Sequence, residues 1–197
     1  MLVTNIVWFL GLLATYYYLP FFLFPFLWIG LLLLLLTVLI IQLFKLFRER
    51  KNISRLRVQK VVSFLILFTL CMFYHKVAIA IEKVDWVIYS AKREGITELV
   101  KQHSLNPNVS WNGWVCELPF EFPVISNGGN DIGISRKANG AVTVTFWVSR
   151  NFFDAPSTYF IYSNDTASIR RLEAKVKYKP EYNWKIKNNW YRIYGGY

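Results

Sequence analysis

Charge is missing where the chain begins. Met1 to Phe44 contains no Asp, Glu, Lys or Arg, and Lys45 is the first charged residue of 197. A helix of a soluble protein keeps a polar face towards water. Forty-four residues without charge therefore exclude a soluble single domain as the whole architecture. As helix, at ~1.5 Å per residue, the segment would extend about 66 Å, roughly twice a ~30 Å hydrocarbon core. Cysteine is almost absent. Cys71 falls in an apolar run and Cys116 far from it, which excludes a disulfide-framed fold. Histidine is equally scarce, with only His75 and His103, and neither has metal-ligand spacing with a cysteine. No metal and no cofactor are expected. Ten glycines and seven prolines are too few for a collagen-like or low-complexity chain.

What is present at the start is a broken apolar run. Pro20 and Pro25 interrupt it within YYYLPFFLFP; each removes a backbone donor and biases the preceding residue away from helix. Tyr16, Tyr17 and Tyr18 suit a headgroup layer. The spacing predicts a first membrane span at residues 3–18, a turn at 19–24 and a second span at 25–44, with one long kinked or re-entrant helix as the alternative. No basic residue precedes the run and no small-x-small site follows it, so the segment is expected to be retained rather than cleaved. Val61 to Ile81 gives a third expected span of 21 residues, polar only at Ser63, Thr69, His75 and Lys76.

The positive charge is concentrated between the second and third spans. Lys45, Arg48, Arg50, Lys51, Arg55, Arg57 and Lys60 face Glu49 alone, a net of +6 out of +11 for the chain. Short loops of this kind stay in the cytoplasm and meet anionic lipid. The expected topology is N-terminus inside and C-terminal domain outside. The remaining positive charge is dispersed, without the basic strip that tracks nucleic acid, so no nucleic-acid partner is expected. His75 and Lys76 read as an interfacial pair, with a proton relay as the alternative; the first two spans offer a relay no carboxylate or histidine. That lack also weighs against a channel or transporter subunit.

Beyond the spans, Ile81, Val84, Ile88 and Ala91 recur at helical steps. They predict a juxtamembrane stalk over residues 82–103, stopped near Gly95 and followed by a short helix at 96–103. The apolar stripe is expected to pack on the following domain, or else on another protomer. Residues 104–197 then read as a β-rich domain. Asp131–Lys137 and Ala141–Val148 flank Ala138-Asn139-Gly140 as a hairpin. Thr158–Ser163 reads as a third strand. Leu172–Tyr178, alternating Leu172, Ala174, Val176 and Tyr178 with charged residues, reads as a fourth. Tyr182–Ile186 and Trp190–Tyr194 read as a closing hairpin.

Candidate chemistry in this domain is sparse. Cys116 and His103 are too few for a nucleophile signature, and Asn127–Asn130 lacks the helix and lysine of a phosphate loop, so it reads as a turn. Should the domain be catalytic, Glu117, Glu121 and Asp154 are the acids to test. Trp111, Trp114, Trp184, Trp190 and Tyr191 could instead form an aromatic platform for a peptide or glycan.

The stretch from Val142 to Asp165, VTVTFWVSRNFFDAPSTYFIYSND, together with Trp190-Tyr191, resembles the C-terminal part of various uncharacterised bacterial proteins, although Asn151 stands where they have glycine. The resemblance implies a bacterial source and no activity.

The expected architecture is therefore a membrane α-helical protein with three spans, the first two a hairpin, joined to a small α+β domain with an antiparallel β-meander. Its parts are a transmembrane hairpin (1–44), a basic cytoplasmic loop (45–60), a third span (61–81), a stalk (82–103) and an extracytoplasmic domain (104–197). The expected role is non-enzymatic. It is an inner-membrane protein that meets membrane lipids and presents an interaction domain to a protein partner in the envelope, as an assembly module or an immunity-type protein. The alternative is a membrane-anchored enzyme acting on an envelope polymer.

Overall fold

The computed structural model describes residues 5–11, 13, 23–119, 121, 124–127, 130–149 and 157–195. Residues 19–22 of the turn expected at 19–24, with Gly128, Gly129 and Asp154, lie outside the described residues. The chain divides into two compact units, Met1–Lys83 and Val84–Tyr197.

In the first unit, residues 5–11 are helical (α1). Helix α2 (Phe24–Arg48) starts with proline in its first turn, where a missing N–H costs nothing, and ends with Lys45 and Arg48 against the negative end of its dipole. Helix α3 (Arg55–Met72) is capped by Ser54, whose side chain accepts from the Arg57 N–H. Between them the basic loop is pinned internally. Arg57 donates Nε and Nη2 to the two carboxylate oxygens of Glu49 (2.9 and 2.7 Å) and Nη1 to Gln42 Oε1 (2.8 Å). Leu35, Leu67 and Cys71 form a small core, with Trp8, Trp28, Leu31, Phe64 and Phe68 around it. Ser63 Oγ donates to Asn5 Oδ1 at 2.9 Å, fixing α1 on α3.

Residues 26–48 of α2 are long and apolar enough to cross a bilayer, and little of that surface is buried. The third span does not form as a single helix over 61–81. Helix α3 ends at Met72, α4 (Tyr74–Lys101) begins at once, and the two are bent by 83°. Only taken together do they meet the same span criterion, so the described residues hold one or two candidate spans rather than three. Phe73 closes one helix and opens the next. Its N–H donates to Thr69 O, and its carbonyl accepts from the Lys76 and Val77 amides. No proline or glycine marks the bend, which is why composition alone did not reveal it.

Gly95 is not a stop either, since α4 runs through it to Lys101. A mid-helix glycine costs about 1 kcal/mol relative to alanine. Packing of Arg93, Thr97 and Val100, all buried, outweighs it.

The second unit is an α+β fold around a six-stranded antiparallel sheet of order β1-β2-β3-β4-β6-β5. Strands β1 (Val115–Glu117), β2 (Asp131–Arg136), β3 (Val142–Ser149) and β4 (Thr158–Ser163) form a meander. The chain then leaves the sheet through α5 (Thr166–Tyr178). It returns as β5 (Trp184–Lys187) and β6 (Trp190–Tyr194), with β6 beside β4.

Helix α5 replaces the strand expected at Leu172–Tyr178. The alternation there coexists with a helical period, because Ile169, Leu172 and Val176 all face Ile161, Tyr191 and Ile193. Asp165 decides between the two. It is the N-cap, accepting from Ser168 N (2.9 Å) and Ser168 Oγ (2.7 Å), and these bonds hold its carboxyl below the usual carboxylate range. Stability from a carboxyl held low is present above its ordinary range and lost as pH falls through the lowered value. Thermal unfolding followed from about pH 7 to about pH 3 therefore shows a shallower acid decline in Asp165→Asn, which keeps an acceptor but no titration. An unchanged pH profile would remove Asp165 from the acid response.

The β2–β3 hairpin forms as expected, through a three-residue connection. Gly140 N–H donates to Lys137 O (2.9 Å) and Lys137 N–H to Ala141 O (2.8 Å). Within Asn139-Gly140 only Gly140 has positive φ, at 80°, so the turn carries a glycine bulge rather than two left-handed residues.

One sheet face carries Ile132, Ile134, Val144, Phe146, Phe160 and Trp190 under α4. Trp86 lies 5.1 Å from Phe160 and 4.9 Å from Trp190. The other face carries Ile161, Tyr191 and Ile193 under α5.

Candidate functional site: an aromatic shelf beside β1

The sequence-chosen aromatics separate into three settings. Trp190 and Tyr191 are neighbours in β6, so their side chains point to opposite faces, and both are buried. Trp190 joins Trp86, Phe146 and Tyr162. Tyr191 sits under α5, where its hydroxyl donates to Glu173 Oε1 at 3.3 Å. Trp184, on edge strand β5, lies under the guanidinium of buried Arg192, whose carbon is 4.8 Å from the ring centroid.

Trp111 and Trp114 differ from these, being 71% and 46% exposed. They precede β1 in a turn organised by its backbone. Asn112 Oδ1 accepts from Trp114 N–H at 2.9 Å, and Trp114 O accepts from Ile134 N–H at 2.7 Å. The second bond holds Trp114 to β2 before β1 formally starts. Its indole lies over Gly133. A Cβ added there would be 2.6 Å from Trp114 Cζ3 and 2.9 Å from Cε3. Glycine at this strand position is what lets the ring settle on the backbone. Trp147 follows at 5.5 Å and Tyr159 at 6.2 Å beyond it, giving an aromatic row across the sheet with Trp114 at its open end.

The acids do not assemble into a reaction centre among the described residues. Glu121 is ion-paired with Lys92 of α4. Glu117 ends β1 opposite Asp131. Its backbone N–H donates to Asn108 Oδ1 and its carbonyl accepts from Asn108 Nδ2, at 2.7 and 2.9 Å. Asp154 lies outside the described residues. Cys116 is buried, and burial, with Asp131 adding to it, pushes its thiol up, which disfavours the thiolate a nucleophile needs. No group of three or more His, Cys, Asp or Glu among the described residues could hold a metal ion.

Two features escaped the sequence reading. Asn130, in a left-handed conformation (φ 67°), is buried. Its Oδ1 accepts from Ile125 N (2.9 Å) and Ser126 N (3.4 Å), and its Nδ2 donates to Pro119 O (3.2 Å). It shapes the segment before β2. Arg136 donates Nη2 to the carbonyls of Val100 and Leu105, closing the C-terminal end of α4. Of the topology residues, Arg57 is engaged with Glu49 and Gln42, and Arg50 lies over the Phe47 ring at 5.3 Å.

No family model, curated protein or solved structure matches this chain.

Proposed function

We propose that the protein is an integral protein of a bacterial cytoplasmic membrane. In this reading α2 and α3 anchor it, the basic loop lies inside, and its α+β unit acts outside as a non-enzymatic recognition module for an envelope protein. The membrane part is supported by α2, whose surface is apolar and mostly unburied. Helix α3 is apolar from Val61 to Met72, about 18 Å after the basic first turns, so it enters the hydrocarbon core without crossing it alone. Seven basic residues against one acid over residues 45–60, the end of α2, the turn and the start of α3, favour the cytoplasmic side. His75 and Lys76, just past the bend, would then meet the outer interface.

The observation that carries the recognition role is the exposure of Trp111 and of Trp114, the latter over Gly133. Tryptophan is the residue most enriched at binding hot spots. Here Trp114 is seated against Gly133 and remains 46% exposed. An assembly module and an immunity-type protein would both use such a shelf.

A photo-crosslinking residue at position 111 of the full-length protein in intact cells is expected to join it to one partner. Trp114→Ala should abolish that adduct while shifting the unfolding midpoint only slightly. Glu117→Gln and Glu121→Gln should leave the adduct and the cellular phenotype unchanged. Loss of phenotype in stably folded Glu117→Gln would favour the enzyme. For orientation, the native thiols are buried, so the reporter is Ala138→Cys in the exposed β2–β3 turn. It should react with an impermeant maleimide before lysis. Reaction only after lysis would reverse the topology.

A further inference from the structure

The closed end of the α2–α3 hairpin holds more positive charge than its own acid can neutralise. Glu49 is the only Asp or Glu among the first 81 residues, and Arg57 occupies both of its oxygens. The bond from Arg57 comes first in holding the Glu49 carboxyl below its ordinary range. Against some desolvation, the fields of Arg57, Lys45 and Lys60 add to it. Lys45 near the end of α2 and Lys60 near the start of α3 therefore act on one carboxylate that is already taken. Among the described residues neither lysine is paired with an acid. Their spacing agrees. Gln42 and Glu49 mark the side of α2 turned to Arg57. At about 100° per residue, Lys45 falls within about 60° of both, and Lys60 about 60° from Arg57 on α3. The two ammonium groups flank the seam between the helices.

Depth and surroundings decide which anion suits them. Lys45 lies about 28 Å along α2 from Phe26, where the candidate span begins. A helix that starts at one side of a ~30 Å hydrocarbon core puts Lys45 in the phosphate layer of the other. Lys60 is the last cation before the apolar run that starts at Val61. Around the lysines, Ile41, Phe44, Phe47 and Leu56 are 45, 68, 67 and 56% exposed. A nucleic acid or a free phosphate would meet the ammonium groups and leave these side chains in water. A phospholipid offers a phosphate and acyl chains in one molecule.

We propose that the seam between the end of α2 and the start of α3 seats an anionic phospholipid. Lys45 and Lys60 hold its phosphate, and Ile41, one turn before Lys45 on the same flank, lies against its acyl chains. Arg57 neutralises Glu49, so the acid does not repel that phosphate. The seat rests on the membrane reading above. It goes past the general attraction of a basic loop for anionic lipid, because it assigns the lipid to two of the seven cations.

The test uses full-length protein in phosphatidylcholine nanodiscs, which leave both faces open to buffer. A fluorophore is carried at Ile41→Cys beside the seam or at Leu34→Cys deeper in α2, since the native thiols are buried. Brominated phosphatidylglycerol is compared with brominated phosphatidylcholine at equal mole fraction. At 41 the anionic lipid is expected to quench as though enriched on the order of tenfold. The label at 34 should be shielded from aqueous iodide. Lys45→Gln with Lys60→Gln should abolish the preference, and Lys45→Arg with Lys60→Arg should keep it. Arg50→Gln with Lys51→Gln removes the same charge at the tip of the turn and should keep it too. Equal loss from the tip pair would mean diffuse attraction and overturn the seat. Unfolding midpoints accompany each variant. Where the glutamine pair does not fold, single Lys45→Gln on its exposed side chain should lower the preference about threefold, and no change would overturn the seat. No preference in the wild type, with 34 shielded, would overturn the seat and leave the membrane reading standing. Iodide quenching at 34 would overturn both. Relief of quenching at 41 by a short RNA would make the ligand a nucleic acid and overturn the lipid.

Discussion

Asp85→Ala lowers the stability of the sheet-bearing unit by about 3–5 kcal/mol, the loss expected when one member of a buried ion pair is removed. Asp85 Oδ2 accepts from Arg93 Nη2 at 2.6 Å, with both side chains at most 3% exposed. The guanidinium is otherwise satisfied by Ile125 O, which accepts from Nε (3.1 Å) and Nη2 (3.0 Å), and by the Phe160 ring 4.8 Å from its carbon. Without the carboxylate this cation is left in a site water does not reach. Asp85→Asn keeps an acceptor without the charge and falls between wild type and alanine. The double change Asp85→Leu with Arg93→Met recovers much of the loss, because burying both charges costs desolvation that an apolar pair avoids. Denaturant unfolding of the full-length protein in detergent, followed by tryptophan fluorescence, reads this directly, since Trp86 lies beside the pair. A loss under about 1 kcal/mol for Asp85→Ala would mean that water enters and screens the pair.

This pair also explains what the sequence could and could not say about α4. Its helical period was legible, but the side it would turn inward was not. Val84, Ile88 and Ala91 are the obvious core residues by hydrophobicity, yet they are exposed, while Asp85 and Arg93 are buried. Two opposite charges eight residues apart neutralise each other only once the fold brings them together, and nothing local records that. The bend at Phe73 was hidden for a related reason. The backbone passes from one helix to the next without a breaker residue. By contrast, the β2–β3 hairpin and β4 were read with nearly their observed limits. Their signals, glycine at a tight turn and β-branched alternation, are local. Helix α5 was misread because LEAKVKY satisfies both periods, and the arbiter, Asp165, stands outside that window.

The candidate site divides along the same line. Exposure of Trp111 and Trp114 accords with their setting among Asn, Gly and Ser in a turn. The seat beneath Trp114 depends on Gly133, nineteen residues away, and becomes visible only through strand register. Trp190 and Tyr191, candidates for an aromatic platform by residue type, are buried. In a strand covered on both faces by helices, adjacent aromatics are simply one core residue for each side.

Trp190→Ala should therefore cost about 3–5 kcal/mol, the usual loss for a buried tryptophan. Its ring is 3% exposed and meets Trp86 at 4.9 Å, Tyr162 at 5.4 Å and Phe146 at 5.9 Å. The cavity opens where α4 joins β3, β4 and β6, so the helix and the sheet centre loosen together. Trp111→Ala removes a mostly exposed ring and should stay within about 0.5 kcal/mol of wild type. Function lost in Trp190→Ala should track the folded fraction and return in Trp190→Phe, which refills most of the volume. Partner capture lost in Trp111→Ala should occur with the unfolding midpoint unchanged and should not return on cooling. Stability is measured by denaturant unfolding and capture by cross-linking at the same temperature. If Trp190→Ala unfolds like wild type, the aromatic cluster under α4 is not the core of this unit. If Trp111→Ala loses stability and capture in parallel, the shelf is structural and the recognition reading fails there.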